Sequence, residues 1–535
     1  LFPHDSAGNT PAPGYMDGYM DGYMDGLMGR QRSGEIRMID GILLGLSTVL
    51  TLSNLTLVMI GCAVGTIIGM LPGLGPISAI ALMIPITYGF EPSSGMILLA
   101  GVYYGAIFGG STSSILINAP GVAGTVATAF DGYPMAGEHA QPGRALATAA
   151  YASFAGGTLA ALLLLLTAPF LADISLSFQS ADYFLMMVLG LSLVSAFASE
   201  GEHLKALIMT FLGLALSTVG TDLTAGVQRF TFGRMDLIDG ISFLLLAMGT
   251  FALSEALMMV LRGNKSEEAP MIPTSGLRLS KQDVNAIVPT ITRSSVLGFF
   301  VGVLPGAGAT IASFLSYGVE KSLARDPVPR FGQGNIKGLA APEAANNAAC
   351  TGSFVPLLTL GIPGSGTTAI LLGALIAYGI QPGPRLIVDE PQVFWSVIVS
   401  MYIGNLFLLA LNLPLIPYLA RLLLIPRSIL IPLIMFFSMM GVYLVSFNTF
   451  DLYLIVLVAV SALVLRFLGF PMAPLLLGFI LGGMLEDNLR RALTISDGNW
   501  TFLIDRPITV VLLIIITLTL LSPAIRKLVS VARYR

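Results

Sequence analysis

A short stretch written twice sets the terms for this chain. Gly69-Met70-Leu71-Pro72-Gly73-Leu74-Gly75-Pro76 returns as Gly302-Val303-Leu304-Pro305-Gly306-Ala307-Gly308-Ala309, and apolar runs flank each copy. A second break follows in each half, Asn118-Ala119-Pro120-Gly121 and Gly361-Ile362-Pro363-Gly364, and Gln141-Pro142-Gly143 is echoed by Gln381-Pro382-Gly383. The three landmarks recur in one order at offsets of 233, 243 and 240 residues, which indicates an internal duplication. Proline removes a backbone donor and glycine weakens a helix, so each break frees peptide groups inside an apolar run. In hydrocarbon such groups survive only where protein or a water-filled cavity satisfies them. Paired interrupted segments in two halves point to the binding site of a transporter.

Composition supports a membrane setting. The chain of 535 residues is 55% hydrophobic and 11% charged, with a mean hydropathy of +0.83. Soluble domains carry about 25% charged residues. Residues 41–90 and 92–130 contain no Asp, Glu, Lys or Arg, enough for several crossings of about 20 residues each. The two cysteines, Cys62 and Cys350, lie inside apolar runs and read as small buried residues, not as a disulfide or metal site. The expected architecture is all-α and polytopic, with about 12 transmembrane segments in two internal repeats whose helices are broken or re-entrant.

The expected organisation runs from a polar N-terminal extension, residues 1–37, through a first repeat at 38–261. A polar linker at 262–285, a second repeat at 286–525 and a basic tail at 526–535 complete it. The extension holds three Gly-Tyr-Met-Asp units, is of native or appended origin, and is set aside; Met38 is a plausible natural start. The loop at 89–95 carries Glu91 and no basic residue, whereas its counterpart at 321–338 carries Lys321, Arg325, Arg330 and Lys337. Short basic loops favour the cytoplasm, so equivalent loops are expected on opposite faces and the repeat is expected to be inverted.

Hydroxyls and amides gather beside the breaks. In the first half these are Ser111, Thr112, Ser113, Asn118 and Gly121; in the second, Ser353, Thr359, Gly364, Ser365, Thr367 and Thr368. Opened helix ends offer N–H groups and a positive dipole to an anion. The break residues Pro72, Gly73, Gly75, Pro305, Gly306 and Gly308 would supply that backbone. Freed carbonyls with nearby oxygens suit a small cation, placing a candidate Na⁺ near Gly73, Asn118, Gly306 and Thr359. The bland alternative is that small residues only let helices pack closely. Glu343, Asn346 and Asn347 share one helix face and are candidates for substrate or cation coordination, against a role as cap and interhelical hydrogen bonds. Asp131 and Arg144, flanking a Gly132-Tyr133-Pro134 turn, the cluster Glu486, Asp487, Arg490 and Arg491, and Asp222, Glu255 and Asp451 are functional candidates as charges beside membrane segments, against roles as surface turns and interfacial anchors.

No Walker loop, His-Glu-x-x-His or Gly-x-Ser-x-Gly motif is present, and the three histidines are scattered, so an enzyme is not expected. A channel with glycine-rich filter segments is the alternative to a transporter.

Several of these motifs together resemble the large membrane subunit of the tripartite tricarboxylate transporters. They are Leu71-Pro72-Gly73-Leu74-Gly75-Pro76, Tyr103-Tyr104-Gly105 through Ser111, Ile117 through Gly121, Asp131 through Pro134, Leu304 through Gly308, Ala341-Pro342-Glu343-Ala344-Ala345-Asn346-Asn347 and Leu360 through Gly364. The likeness extends over about residues 38–525. It implies a multi-pass protein of the bacterial inner membrane that imports di- or tricarboxylates. A periplasmic solute-binding protein would deliver them and a small four-helix membrane subunit would complete the permease. It implies no cofactor beyond a coupling ion, Na⁺ or H⁺, no nucleic-acid partner, and elevator-type movement, with homodimerisation left open.

Overall fold

The computed structural model describes residues 33–71, 74–175, 177–196, 203–222, 225–262, 277–304, 308–325, 327–419, 421 and 426–533. It is 80% helical, with one two-stranded ribbon pairing Gly220–Thr221 with Gln228–Arg229. The first half carries α1 (Ser33–Val49), α2 (Leu52–Met70), α3 (Gly75–Thr87), α4 (Pro92–Ile117), α5 (Val126–Gly137), α6 (Pro142–Ser175), α7 (Ser180–Ala196), α8 (His203–Ser217) and α9 (Phe243–Leu261). The second carries α10 (Lys281–Val303), α11 (Gly308–Leu323), α12 (Ile336–Gly352), α13 (Phe354–Leu360), α14 (Gly366–Ala377), α15 (Pro391–Asn412), α16 (Arg427–Ser446), α17 (Thr449–Phe467), α18 (Ala473–Ile495) and α19 (Pro507–Arg533).

Among the described residues, eight helices are long and apolar enough to cross a membrane, and six further apolar helices are shorter. The difference from about 12 crossings of ~20 residues has a local cause. Breaks cut apolar runs into pieces such as α3 and α14, 13 and 12 residues long. The linker is shorter than expected, because a capping box between Ser280 and Asp283 starts α10 at Lys281. Residues 1–32, most of the linker, and Pro72, Gly73, Pro305 and Gly306 lie outside the described residues.

The two halves pack their broken hairpins alike. Helix α2 lies on α4 and α10 lies on α12. A Cβ on Gly65 would overlap the carbonyl oxygen of Val102, and one on Gly69 that of Ala106. The same holds for Gly298 against Ala345 and Gly302 against Ala349. Small residues at i and i+4 let the backbones touch, the device that joins helices where lipid supplies no hydrophobic drive. The contact places α4, whose crossing window is 100% buried, at the centre of the molecule. Helices α16 and α17 stay largely uncovered, with Phe436, Phe437 and Leu457 turned outward.

Gly132-Tyr133-Pro134 is not a turn. It lies inside α5, and Asp131 is fully buried. Its Oδ1 accepts from the backbone N–H groups of Gly332, Gly334 and Asn335, and its Oδ2 from Tyr317 at 3.0 Å. Asp131 thus pins the loop that leads into α12, a long-range contact that overrides local turn chemistry. At the far end, Arg490 reaches Asp222 and Glu486, both at 2.6 Å, and Arg229 reaches Glu486 at 2.8 Å.

Candidate functional site

Helix α2 ends at Leu71 with φ −81° and ψ 115°, and α10 ends at Leu304 with φ −76° and ψ 117°. Each chain then turns through a glycine of positive φ, Gly75 at 64° and Gly308 at 62°, and begins a new helix. The second breaks match as well. Asn118 caps α4 in the left-handed region at φ 51°, and Gly361 caps α13 there at φ 68°. Both residues tolerate that conformation, which explains Asn at one break and Gly at its counterpart.

The restarted helices cross over between halves. Helix α3, after the first break of one half, packs against α14, after the second break of the other. Helix α11 packs reciprocally against the 3₁₀ turn Ala123–Thr125 and α5. Four first turns therefore meet around one cavity of about 660 Å³. Its wall includes Gly75–Ser78, Gly308–Ile311, Val122–Gly124 and Ser365–Thr367, closed by Tyr103, Ile107, Phe251 and Cys350. That volume falls within the roughly 300–1,000 Å³ of small-molecule sites.

Both backbone and side chains bring polar groups to this cavity, among the latter Ser78, Thr310, Ser365 and Thr367. Helix α3 has no side-chain cap at its N-terminus, nor has the 3₁₀ turn, so their leading N–H groups are not taken by a capping side chain. Ser365 caps α14 and pairs reciprocally with Thr368. Tyr103 shares the cavity wall with Cys350 and Ser365. Two charged residues line the wall, Glu255 and Arg466, and they pair with each other. Arg466 also donates to Ser254 at 3.0 Å. Glu255 lies two residues past a π-helical turn, Met248–Leu253, and it lines the cavity together with Phe251, four residues before it. That pair is neutral as a unit, and helix N-termini carry a positive dipole end.

Of the residues singled out in the sequence, Ser365, Thr367, Gly75 and Gly308 line the cavity. Glu255 lines it too, the break residues Pro72, Gly73, Pro305 and Gly306 lie outside the described residues, and the following stand behind the wall or away from it. Ser111 donates to Glu343, Thr112 is buried beside it, and Ser113 donates to Gly110 O at 3.2 Å. Gly121 packs on the carbonyl of Gly69, and Gly364 on Ser353 and the carbonyl of Gly302. Asn347 donates to Glu343 O at 3.0 Å, and Ser353 to Cys350 O at 2.7 Å. Asn346 is fully buried beside Gly124 with neither polar atom partnered. Neither Asn118 nor Thr359 lines the cavity; Asn118 is exposed and Thr359 donates to Val355 O.

Tyr103 and Arg466 line the cavity without having been candidates, and Glu255, a candidate with the interfacial reading favoured, lines it too. A paired charge inside an apolar helix was the available signal.

A polytopic helical membrane protein with a cavity at paired helix breaks is, in class, a solute transport protein. The family model for the tripartite tricarboxylate transporter TctA family matches residues 55–477, and the chain belongs to that family. An Agrobacterium vitis protein described as "Uncharacterized 52.8 kDa protein in TAR-I ttuC' 3'region" is 46% identical over 476 residues, 89% of this chain and 94% of its own length. A second, "Uncharacterized protein in TAR-II ttuC' 3'region" of the same organism, is 48% identical over 233 residues, 43% of this chain and 96% of its own. No solved structure matches. The chain is thus a membrane-embedded component of a tripartite tricarboxylate transporter, a transporter subunit.

Proposed function

We propose that the cavity holds a di- or tricarboxylate such as citrate in transit across the bacterial inner membrane. The observation that carries this is the convergence of four helix first turns on one cavity whose two side-chain charges cancel. Such a surface attracts carboxylates through N–H groups and helix dipoles. In this reading a periplasmic binding protein delivers the anion and a small membrane subunit completes the permease. The two halves act as inverted repeats, and the broken hairpins carry the site past a scaffold in elevator fashion, driven by a gradient of Na⁺ or H⁺. The glycine contacts support a hairpin that moves as one body, since no side chain separates its helices.

The test is uptake of radiolabelled citrate, and of a dicarboxylate in parallel, into membrane vesicles that hold the three components. Gradients of Na⁺ and H⁺ are imposed separately. Saturable, gradient-dependent uptake that Ser365→Ala weakens is the expected result. Flux without saturation or ion coupling would instead indicate a channel.

A further inference from the structure

Glu343 is the buried acid that the cavity does not use. It sits in the middle of α12 with no exposed surface. Its Oε2 accepts from Ser111 of α4 at 2.6 Å and from Ser153 of α6 at 2.8 Å, and its Oε1 accepts from Thr128 of α5. Three hydroxyls on three different helices thus converge on one carboxyl group, and no basic side chain pairs with it among the described residues.

The charges of the surrounding elements are engaged elsewhere. Arg293 of α10 pairs with Glu320 of α11 at 2.8 Å, and Arg144 of α6 pairs with Asp283 of α10. Asp131 of α5 is held by the loop before α12. Lys281, Lys321 and Lys337 stand at helix ends. The other ionisable groups among the described side chains of these helices are the phenols Tyr103, Tyr104, Tyr133, Tyr151 and Tyr317 and the thiol Cys350, none of which is a cation. Helix α13 carries no ionisable side chain.

An isolated carboxylate in such a place is costly, and neutralisation by a proton is the usual relief. The hydroxyls fit both forms: they donate to the carboxylate, and one can rotate to accept from the carboxylic acid. A metal ion fits poorly. It needs several oxygens at about 2.0–2.6 Å around itself, whereas Ser111 and Ser153 already contact Glu343 directly. Among the described residues no group of three or more His, Cys, Asp or Glu side chains gathers for a metal.

Polar groups lead away from Glu343 on two sides. One turn further along the same helix face, Asn346 presents an amide whose nitrogen and oxygen both lack partners, beside the cavity-lining Gly124. On another side, Ser111 and Ser153 line a void of about 10 Å³ that also touches Asn412. The Oδ1 of Asn412 is again unpartnered. A space of this size is about that of one water molecule.

We propose that Glu343 is the proton-carrying group of the transporter, exchanging its proton with the substrate cavity by way of Asn346 and with the other side by way of Ser111, Ser153 and Asn412. The step forms one O–H bond on a Glu343 carboxyl oxygen as one O–H bond of a hydronium ion breaks and leaves a neutral water, and the reverse releases the proton. The inference rests on the transport reading above and narrows its coupling ion to H⁺.

The experiment uses membrane vesicles holding the protein with its partner subunits, radiolabelled citrate and an inward proton gradient in sodium-free buffer. Wild type should accumulate citrate. Glu343→Gln should lower accumulation roughly tenfold or more, inside the about 5–150-fold typical of coupling between sites. The uptake that remains should no longer change with pH, and Glu343→Asp should restore the pH dependence. Gradient-driven accumulation by Glu343→Gln, or wild-type uptake that follows sodium and ignores protons, overturns the proposal and leaves the transport reading standing. Absence of any carboxylate uptake by wild type strikes at the transport reading itself. A readout independent of uptake is the infrared difference spectrum of the wild-type protein between acid and alkaline pH. It should contain the carbonyl band of a buried carboxylic acid that titrates, and a spectrum without that band overturns the proposal.

Discussion

The side-chain amide of Asn346 occupies the space beside Gly124 where a Cβ would stand. Gly124 is therefore the thin partition between the cavity and the buried amide. Gly124→Ala should push Asn346 aside, an overpacking that costs about 1–3 kcal/mol. A lowered melting temperature together with reduced citrate uptake is the expected outcome. Unchanged values of both would show that Asn346 has room to move.

Arg466 and Glu255 hold each other on the cavity wall, and Glu255 is almost entirely buried. Removing one partner of such a pair leaves an uncompensated charge. Arg466→Ala should cost near the low end of about 3–5 kcal/mol, because its own side chain is partly exposed. The double variant Glu255→Ala/Arg466→Ala should recover more than half of that loss in chemical unfolding. Equal losses in the single and double variants would mean that the arginine acts through packing.

The glycine contacts make a paired prediction. Gly69→Ala and Gly302→Ala each place a methyl group against backbone, and backbone cannot yield as a side chain does. Both should destabilise by about 1–3 kcal/mol or more, and by similar amounts. A methyl group on Gly318 in α11 would meet nothing within 4 Å. There Gly318→Ala should stabilise by about 0.4–1 kcal/mol through the unfolded chain. Thermal unfolding of the three variants side by side checks the set.

Glu486 lies past the apolar part of α18, where the hydrogen bond from Arg229, and next that from Arg490, hold its carboxyl below its ordinary range. A carboxylate with a lowered folded pKa adds stability above its unfolded pKa of about 4.3 and loses it as pH falls through the folded value. Acidification below about 4 should therefore lower the melting temperature. Arg229→Ala should flatten that acid limb, and an unchanged limb would assign the acid sensitivity to other groups.

The breaks and most helices were legible because Pro and Gly act locally. Gly75, Gly308, Ser365 and Thr367 could be placed beside the breaks from spacing alone, and they line the cavity. What escaped depends on distant partners. Asp131 looked like part of a turn, yet the amides that hold it lie some 200 residues away. Ser113, Ser353 and Thr359 looked like ligands, but on helices their hydroxyls return to carbonyls three or four residues back. Glu255 stood out as a charge beside a membrane segment, but its partner Arg466 lies 211 residues away, and only the tertiary structure sets the two together on the cavity wall.

The cancelled pair on that wall has a kinetic meaning. Peptide dipoles act only within the first turn of a helix and have no proton to gain or lose. An anion lodged there is held by partial charges spread over several peptide groups and by no unpaired full charge of the wall. A surface of this kind is suited to handing cargo on, and throughput is what it gains by giving up grip.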